Sequence, residues 1–274
     1  MFINGEVAQV GWSDELGSFS ARCPQADRSR ADRRRRRRGF WTLSLFPSAG
    51  EAGGCLYAPH RVGVSGWRPD PERSALEASR RARSKIRRYC AANRLNRLGT
   101  LTYAGEGCHE PARLRADVGV FFKELRRELG GKAIPYLWVP EWHPGGHGLH
   151  VHFAVGRYIG QPLIREIWDL GHVHIKLLGD LPVGSGSLAE ARLAARYLSK
   201  YASKAVEEKR SPGLHRYEVA QGFQPESVYI GGGSVEHVLG QASARMGGQP
   251  AHQWRSSRED GWRGPPAIWA AWDD

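Results

Sequence analysis

The chain has 274 residues, of which 41% are hydrophobic and 10% aromatic, and its 40 lysines and arginines outnumber 28 acidic residues to give a formal net charge of +12. This composition supports a folded core and favours a polyanionic partner, usually nucleic acid, although a basic surface that only contacts solvent has the same charge balance. The four cysteines form no CxxC pair and no apolar run approaches the ~20 residues of a membrane helix, so a disulfide framework, a zinc knuckle and a membrane protein are disfavoured, and a reduced cytoplasmic setting is expected.

Residues 1–70 are predicted to form an arginine-rich, poorly ordered N-terminal region. Six consecutive arginines, Arg33–Arg38, repel one another and favour disorder in isolation. The run is suited to a phosphate-binding arm. GC-rich coding sequence, or a start codon assigned too far upstream, produces the same run, and the sequence leaves these origins open.

Residues 71–94 are predicted to form a basic helix. Its weak apolar stripe consists of Leu76, Ile86 and Tyr89. Such a helix either lies on DNA or is a solvated surface helix. In the first case Arg87 and Arg88 are candidate DNA contacts.

Residues 95–210 have the clearest regular pattern and are predicted to form one domain. Alternating and helix-periodic stretches predict the order β-α-β-β-α-β-α, in the segments 97–103, 111–129, 133–141, 148–156, 162–169, 171–178 and 188–209. The second and third strands form a hairpin, so the sheet is at least partly antiparallel. The predicted fold class is α+β, with a central, mainly antiparallel β-sheet flanked by helices.

Residues 211–274 are predicted to form a C-terminal extension. Tryptophans lie among arginines in this tail, at positions Trp254, Trp262, Trp269 and Trp272. Tryptophans in such a setting either stack on nucleic-acid bases or pack back onto the domain, and packing is the more common outcome.

A histidine-rich hairpin is the first candidate site. In the stretch EWHPGGHGLHVHFAV, residues 141–155, a two-residue loop at Gly145-Gly146 places Glu141 directly opposite His150. His152 follows two residues later on the same face of its strand. Two imidazoles and one carboxylate can hold a divalent cation while leaving coordination positions open for water or substrate.

Other histidines leave alternatives open. His143 has the same parity as Glu141 and is an alternative third ligand, and His143 with His147 would complete a closed structural zinc site. A second H-x-H pair, His172 and His174, has no carboxylate near it in such a hairpin, which favours a purely structural role.

The last predicted helix carries the second candidate site. Tyr197, Lys200, Tyr201 and Lys204 share one stripe of this helix, and its alanines and leucines form an apolar side that can face a sheet. A phenol with an ordinary pKa near 10 is a poor nucleophile at neutral pH. A nearby ammonium group and a metal ion on the substrate phosphate both favour attack by the phenolate.

These motifs in this order resemble the HUH endonucleases, specifically the two-tyrosine rolling-circle replication initiators (Rep proteins) of bacterial plasmids and small phages. The resemblance rests on HVH at 150–152 with Glu141 upstream, on YLSKY at 197–201, and on GTLTYAG at 99–105. HRYEVAQGFQP, at 215–225, is similar to the continuation in actinobacterial plasmid replication proteins. The resemblance covers about residues 95–210, and the segment before it matches nothing that we can place.

The resemblance implies a mechanism. Glu141, His150 and His152 would hold Mg²⁺ or Mn²⁺ against the scissile phosphate, and either Tyr197 or Tyr201 would attack it, remain joined to the 5′ phosphate and free a 3′ hydroxyl. The second tyrosine would carry out another strand transfer. The remaining candidate residues are Lys200, which would steady charge, and the DNA contacts Arg87, Arg88, Arg196 and Lys204.

Partners and alternatives follow from the same resemblance. The expected substrate is single-stranded or hairpin origin DNA, and unwinding would depend on a host helicase and replication machinery because the chain has no GxxxxGK[ST] motif. A single-strand transposase or a conjugative relaxase would share the chemistry. A different class, a non-catalytic DNA-binding protein with a structural zinc site, is also consistent with the histidines. The sequence does not identify the tyrosine that attacks first.

Overall fold

A computed structural model describes residues 39–57, 71–176, 187–204, 214–262 and 264–274. The arginine run Arg33–Arg38, for which a phosphate-binding arm was one of the open interpretations, lies outside these residues.

Within the described residues the α-helices are α1 (Pro71–Ala92), α2 (Pro111–Glu128), α3 (Gln161–Ile167), α4 (Leu188–Lys204) and α5 (Val235–Met246). Short 3-10 helices lie at Pro47–Ala49 and Ser256–Arg258. The strands are β1 (Phe40–Phe46), β2 (Glu51–Tyr57), β3 (Arg97–Tyr103), β4 (Tyr136–Trp142), β5 (Leu149–Val155), β6 (Gly171–Lys176), β7 (Glu218–Val219), β8 (Val228–Gly232), β9 (His252–Arg255) and β10 (Ala267–Ala271). No helix in this part of the chain is both long enough and apolar enough to cross a membrane.

The first sheet, sheet I, has the strand order β6-β3-β5-β4-β7, and every neighbouring pair is antiparallel. Its strands β3 to β6 and the helices α2 to α4 follow the predicted order, and α1 ends within two residues of its predicted end. The prediction of an α+β fold with an antiparallel central sheet and flanking helices is therefore confirmed.

Successive side chains along the strands of sheet I point to opposite faces, and helices pack on both faces. The face covered by α2 and α3, called the α2 face, buries large apolar side chains: the core includes Leu101, Phe121, Val151, Phe153 and Trp168. The other face, called the α4 face, is covered by α1 and α4 and buries smaller groups: this core includes Ile86, Leu137, Ala154, Ala195 and Leu198. The small alanines of α4 let this helix approach the sheet closely, which brings its polar side chains near the sheet surface.

A second antiparallel sheet, sheet II, corrects the predicted organisation of both ends of the chain. Its order is β8-β1-β2-β10-β9, so the two strands of the N-terminal segment lie side by side and are flanked by strands from the C-terminal segment. The prediction that residues 1–70 are poorly ordered is thus wrong for 40–57. The strand signal was weak because β2 contains Gly53-Gly54, and glycine has a low strand propensity. A side chain at Gly54 would collide with the backbone of Thr42, so the tight pairing with β1 requires glycine here.

Trp269 and Trp272 are buried in sheet II, and Trp254 packs partly against Trp269, so three of the four C-terminal tryptophans that the sequence allowed as base-stacking groups form part of a core. Trp262 belongs to no core cluster of the described residues and donates a hydrogen bond to the carbonyl oxygen of Pro265. The helix α5 packs on the same sheet through Val238 and Leu239. The described cysteines Cys55, Cys90 and Cys108 are buried, and none of these three forms a disulfide bond.

The arginines of α1 occupy a different place from the predicted one. The carboxylate of Glu51, on β2, is almost fully buried and pairs with both Arg87 and Arg88, whose side chains are only 16% exposed. These residues were predicted to contact DNA. The structure instead directs their guanidinium groups at an interior carboxylate, because the apolar stripe of α1 packs on α4 and the next positions around the helix face sheet II.

The tyrosine-bearing helix α4 is fixed at its N-terminal end by both sheets. The backbone N–H of Leu188 donates to Asp274 Oδ2 at 2.6 Å, and Arg192 donates to the carbonyl oxygens of Gly50 and Trp272. On the other side, the buried carboxylate of Glu190 accepts a hydrogen bond of 2.7 Å from Asn96. These contacts hold α4 in one position relative to sheet I.

Candidate active site

The hairpin between β4 and β5 has the predicted register. Glu141 is paired with His150, and the pairing continues without a slip to the far end of both strands. The loop is wider than the predicted two residues: His143 N donates to Gly148 O, and Gly146 N donates to His143 O. The wider loop is still centred between Gly145 and Gly146, so the same residues are paired across the hairpin. The side chains therefore lie on the predicted faces of the sheet.

Backbone conformation explains why the loop contains glycine. Gly146 and Gly148 have positive φ angles of 77° and 80°, which favour glycine. A side chain at Gly148 would also collide with the backbone of Cys108, which approaches to form a bridge at the start of β5. The backbone directly before β5, the strand that carries the histidines, is therefore held close to Cys108.

Three side chains converge on the α4 face at this hairpin. The Nε2 atoms of His150 and His152 each lie 2.9 Å from Oε2 of Glu141, and they lie 3.1 Å from each other. Both imidazoles are buried, and the side chain of Glu141 is 9% exposed. We call these three residues the triad; no other group of His, Cys, Asp and Glu in the described part of the chain is spaced for a metal ion.

The two imidazoles differ in the partner of their other ring nitrogen. Nδ1 of His152 lies 3.0 Å from the hydroxyl of Thr100, on the neighbouring strand β3. Nδ1 of His150 is buried and has no hydrogen-bond partner among the described residues. This contact orients His152 with Nε2 pointing into the triad; if Nε2 ligates an ion, Nδ1 carries the proton and donates it to the Thr100 hydroxyl, which is the usual way a protein fixes a metal-ligating imidazole.

The triad fits a divalent cation in its chemistry and in its spacing. Its three donor atoms form a nearly equilateral triangle with sides of 2.9, 2.9 and 3.1 Å. Separations of this size allow all three atoms to bind one divalent ion. Three ligands on one side of an ion leave the opposite side open.

The alternative histidines stay outside the triad. The ring of His143 is centred 5.6 Å from that of His150, and its Nδ1 accepts a hydrogen bond from Gly145 N. Nε2 of His147 lies 3.0 Å from the carbonyl oxygen of Tyr103. Neither belongs to the cluster that can hold an ion, so the closed zinc site that these histidines would complete is not formed.

Both predicted tyrosines reach the triad from α4. The ring of Tyr201 stacks on His152 with centroids 3.7 Å apart, and the ring of Tyr197 meets His152 edge-on at 6.0 Å. The hydroxyl of Tyr201 donates a hydrogen bond of 2.7 Å to the Tyr197 oxygen. The spacing of four residues along the helix thus places both phenols beside the same imidazole.

Burial, the hydrogen bond to Tyr197 and the nearby charge of Glu141 raise the pKa of Tyr201. Its phenol therefore keeps its proton, in agreement with its position as the donor of the bond between the tyrosines.

A lysine from sheet I contacts Tyr197. Lys176, at the end of β6, lies with Nζ 4.4 Å from the centre of the Tyr197 ring. Lys200, the predicted catalytic lysine, is exposed on α4, as is Arg196. The side chain of Lys204 lies outside the described part of the chain. Sequence spacing within one helix pointed to Lys200; only the pairing of β6 with β3 shows Lys176.

Among the comparisons with known proteins, a family model matches the part of the chain that contains this site. Residues 96–206 match a family model of replication-associated proteins of the ORF2 type, a stretch that includes the triad and both tyrosines but excludes sheet II. The match covers less than half of the chain, and it supports a replication initiator. No curated protein and no solved structure was found to match.

Proposed function

We propose that this protein initiates rolling-circle replication by nicking and rejoining single-stranded origin DNA through a covalent phosphotyrosine intermediate. The observation that carries the proposal is the convergence of the triad and two tyrosine hydroxyls on one face of sheet I. The family match supports the replication role. The positive net charge suits a polyanionic substrate.

The proposed ion is Mg²⁺ or Mn²⁺, held by Glu141, His150 and His152. Both metals accept octahedral geometry and take their remaining ligands from water or phosphate oxygens, which suits a site with three protein ligands and a nucleic-acid substrate. When bound there, such an ion neutralises charge on the scissile phosphate and makes its phosphorus easier to attack.

The proposed nucleophile for the first step is Tyr197. Its oxygen accepts a hydrogen bond from the Tyr201 hydroxyl, and this bond stabilises the negative charge that develops on the Tyr197 oxygen when its proton leaves. The ammonium of Lys176 lies over the ring of Tyr197. In the step, the Tyr197 oxygen bonds to phosphorus, the bond from phosphorus to the 3′ oxygen breaks, the phenol loses its proton and the 3′ oxygen gains one. One phosphodiester replaces another, so no external energy source is needed.

Tyr201 is the proposed second nucleophile. It is close enough to Tyr197 to use the same ion after the first strand has moved. This arrangement allows a second transfer that closes a circle without hydrolysis. The free 3′ hydroxyl would prime synthesis, with a host helicase unwinding the duplex.

The test is covalent capture of single-stranded DNA. The full chain is incubated with a pool of single-stranded oligonucleotides and Mn²⁺, denatured, and the attached DNA is sequenced. We expect a denaturant-stable adduct with wild type and with Tyr158→Phe/Tyr229→Phe, which changes two exposed tyrosines. Tyr197→Phe/Tyr201→Phe is expected to give none, because no phenol remains beside the triad.

The single variants test the order of attack. Tyr197→Phe is expected to lose most of the adduct, and Tyr201→Phe to retain it. An adduct formed equally well by the double variant would show that the nucleophile lies elsewhere. Stoichiometric, tightly bound zinc together with no wild-type adduct would favour the non-catalytic DNA-binding protein instead, and recovered sequences from transposon ends or a transfer origin would favour a transposase or relaxase.

A further inference from the structure

The second H-x-H pair lies on the α4 face, in line with the triad. The strand β3 pairs with β5 on one side and with β6 on the other, so Thr102 is opposite both His150 and His172, and Thr100 is opposite both His152 and His174. Directly opposed residues share a face. The sequence favoured a purely structural role for His172 and His174, because the strand order of the sheet was unknown.

The side chains of β6 on this face remain exposed. We call His172, His174 and Lys176 the β6 shelf; all three are exposed, while Val173 between them is buried in the α2-face core. The helix α4 packs over β4 and β5, so the shelf stays open to solvent beside it. A purely structural pair of imidazoles would be expected to pack or to bond to neighbours.

The charge and polarity of the shelf suit a phosphate backbone. Glu141 is the only acidic residue in the strands β3, β4, β5 and β6, and it belongs to the triad. The side chains between shelf and triad are the half-buried Thr100 and Thr102. The shelf therefore presents two imidazoles and one ammonium beside these two hydroxyls, and the four described strands place no carboxylate next to it other than Glu141 of the triad.

We propose that the β6 shelf binds the backbone of the single-stranded DNA next to the scissile phosphate. This inference rests on the proposed function and extends it by a substrate contact. The shelf strand is two strand spacings from β5, about 10 Å, so its side chains reach a neighbouring nucleotide and not the phosphate at the triad. Lys176 joins the two sites, since it is on the shelf and also contacts the Tyr197 ring.

The experiment measures DNA binding apart from chemistry. In a Tyr197→Phe/Tyr201→Phe background and in EDTA, the full chain is titrated against a fluorescent oligo(dT) strand by anisotropy. We expect His172→Ala/His174→Ala to weaken binding about tenfold, and His172→Glu/His174→Glu to weaken it more, because like charges repel the phosphates. His172→Gln/His174→Gln keeps a donor at each position and is expected to stay close to the parent. The matched control is His237→Glu, an exposed histidine of α5 on the other sheet.

The outcomes separate this inference from the proposed function. Unchanged binding by the glutamate variant, or a loss as large in the His237 control, would overturn the shelf. A loss that appears only when divalent ions are added would identify the pair as a cation site and overturn it as well. If wild type never forms a covalent adduct but the graded loss of binding is observed, the shelf stands and the nicking proposal fails.

Discussion

Each of the two sheets of this protein carries a buried glutamate, and the two glutamates differ in the side chains that contact them. On sheet II, Glu51 is 1% exposed and is paired with two arginines. On sheet I, Glu141 is 9% exposed and its partners are two imidazoles, with tyrosine hydroxyls next to them. A carboxylate buried without a compensating charge is unstable, so the partners indicate what each site is for.

Arginines compensate Glu51 permanently, because a guanidinium group is charged at any ordinary pH. Burial alone would raise the pKa of Glu51, but the two guanidinium groups hold it below its usual value. An imidazole carries no permanent charge, so His150 and His152 do not compensate Glu141 as the arginines compensate Glu51, and their Nε2 atoms converge with its Oε2. The first site is closed and joins α1 to sheet II, and the second is poised to bind an ion.

The largest effect is expected from breaking the triad. His150→Ala removes one of three ligands, and we expect nicking of single-stranded DNA to fall on the order of 1,000-fold, because stabilisation of charge at the reacting phosphate is lost. Binding to the same DNA should remain and should still weaken with salt, since phosphate contacts dominate affinity. Gel-based nicking and anisotropy on one preparation measure both.

Nicking by His150→Ala at the wild-type rate would refute the metal role. The matched comparison is His237→Ala, which changes an exposed histidine of α5 and should leave both measurements unchanged.

A smaller effect, and one of a different kind, is expected from Glu51. Glu51→Gln leaves two buried guanidinium groups without their carboxylate, and it should lower the free energy of unfolding by about 3 kcal/mol. Because the folded pKa of Glu51 is lowered, its stabilising contribution is complete above the ordinary value of 4.5 and is lost as the pH falls through the folded pKa. The stability difference between wild type and variant should therefore shrink below pH 4.5.

Urea unfolding at a series of pH values measures this difference, and titrations shared by both proteins cancel. Nicking per folded molecule should be retained by Glu51→Gln. A pH-independent difference would mean that the carboxylate contributes through packing and not through its charge.

The sequence was sufficient for the parts of the site that depend on local pattern. The hairpin register predicted that Glu141 lies opposite His150, and alternation along β5 predicted that both side chains point to the same face of the sheet. The spacing of four residues along α4 predicted that Tyr197 and Tyr201 are neighbours. The order of strands within sheet I was not available from local pattern. Lys176, and the alignment of the β6 histidines with the triad, were missed for this reason.

Sheet II was missed for a related physical reason. Its strands come from opposite ends of the chain, and the pairings β1–β8 and β2–β10 that assemble the sheet join residues more than a hundred positions apart. The partner of Arg87 and Arg88 was missed because the position of these arginines in a basic helix gave no sign of an interior carboxylate on β2, a strand that was itself not predicted.

The smallest effect is expected from a change at Thr100, whose hydroxyl contacts Nδ1 of His152. This change tests the Glu141 site and leaves the Glu51 site untouched. Thr100→Val keeps the shape of the side chain but removes the partner of Nδ1, so the imidazole is less firmly oriented and Mn²⁺ affinity should fall about tenfold. Thr102→Val is the matched control: it lies opposite His150, whose Nδ1 has no hydrogen-bond partner among the described residues. Thr100→Ser should restore affinity, since it returns the hydroxyl. Isothermal titration with Mn²⁺ in the absence of DNA measures all three, and equal losses in the two valine variants would show that the strand tolerates neither change and that the hydroxyl has no orienting role.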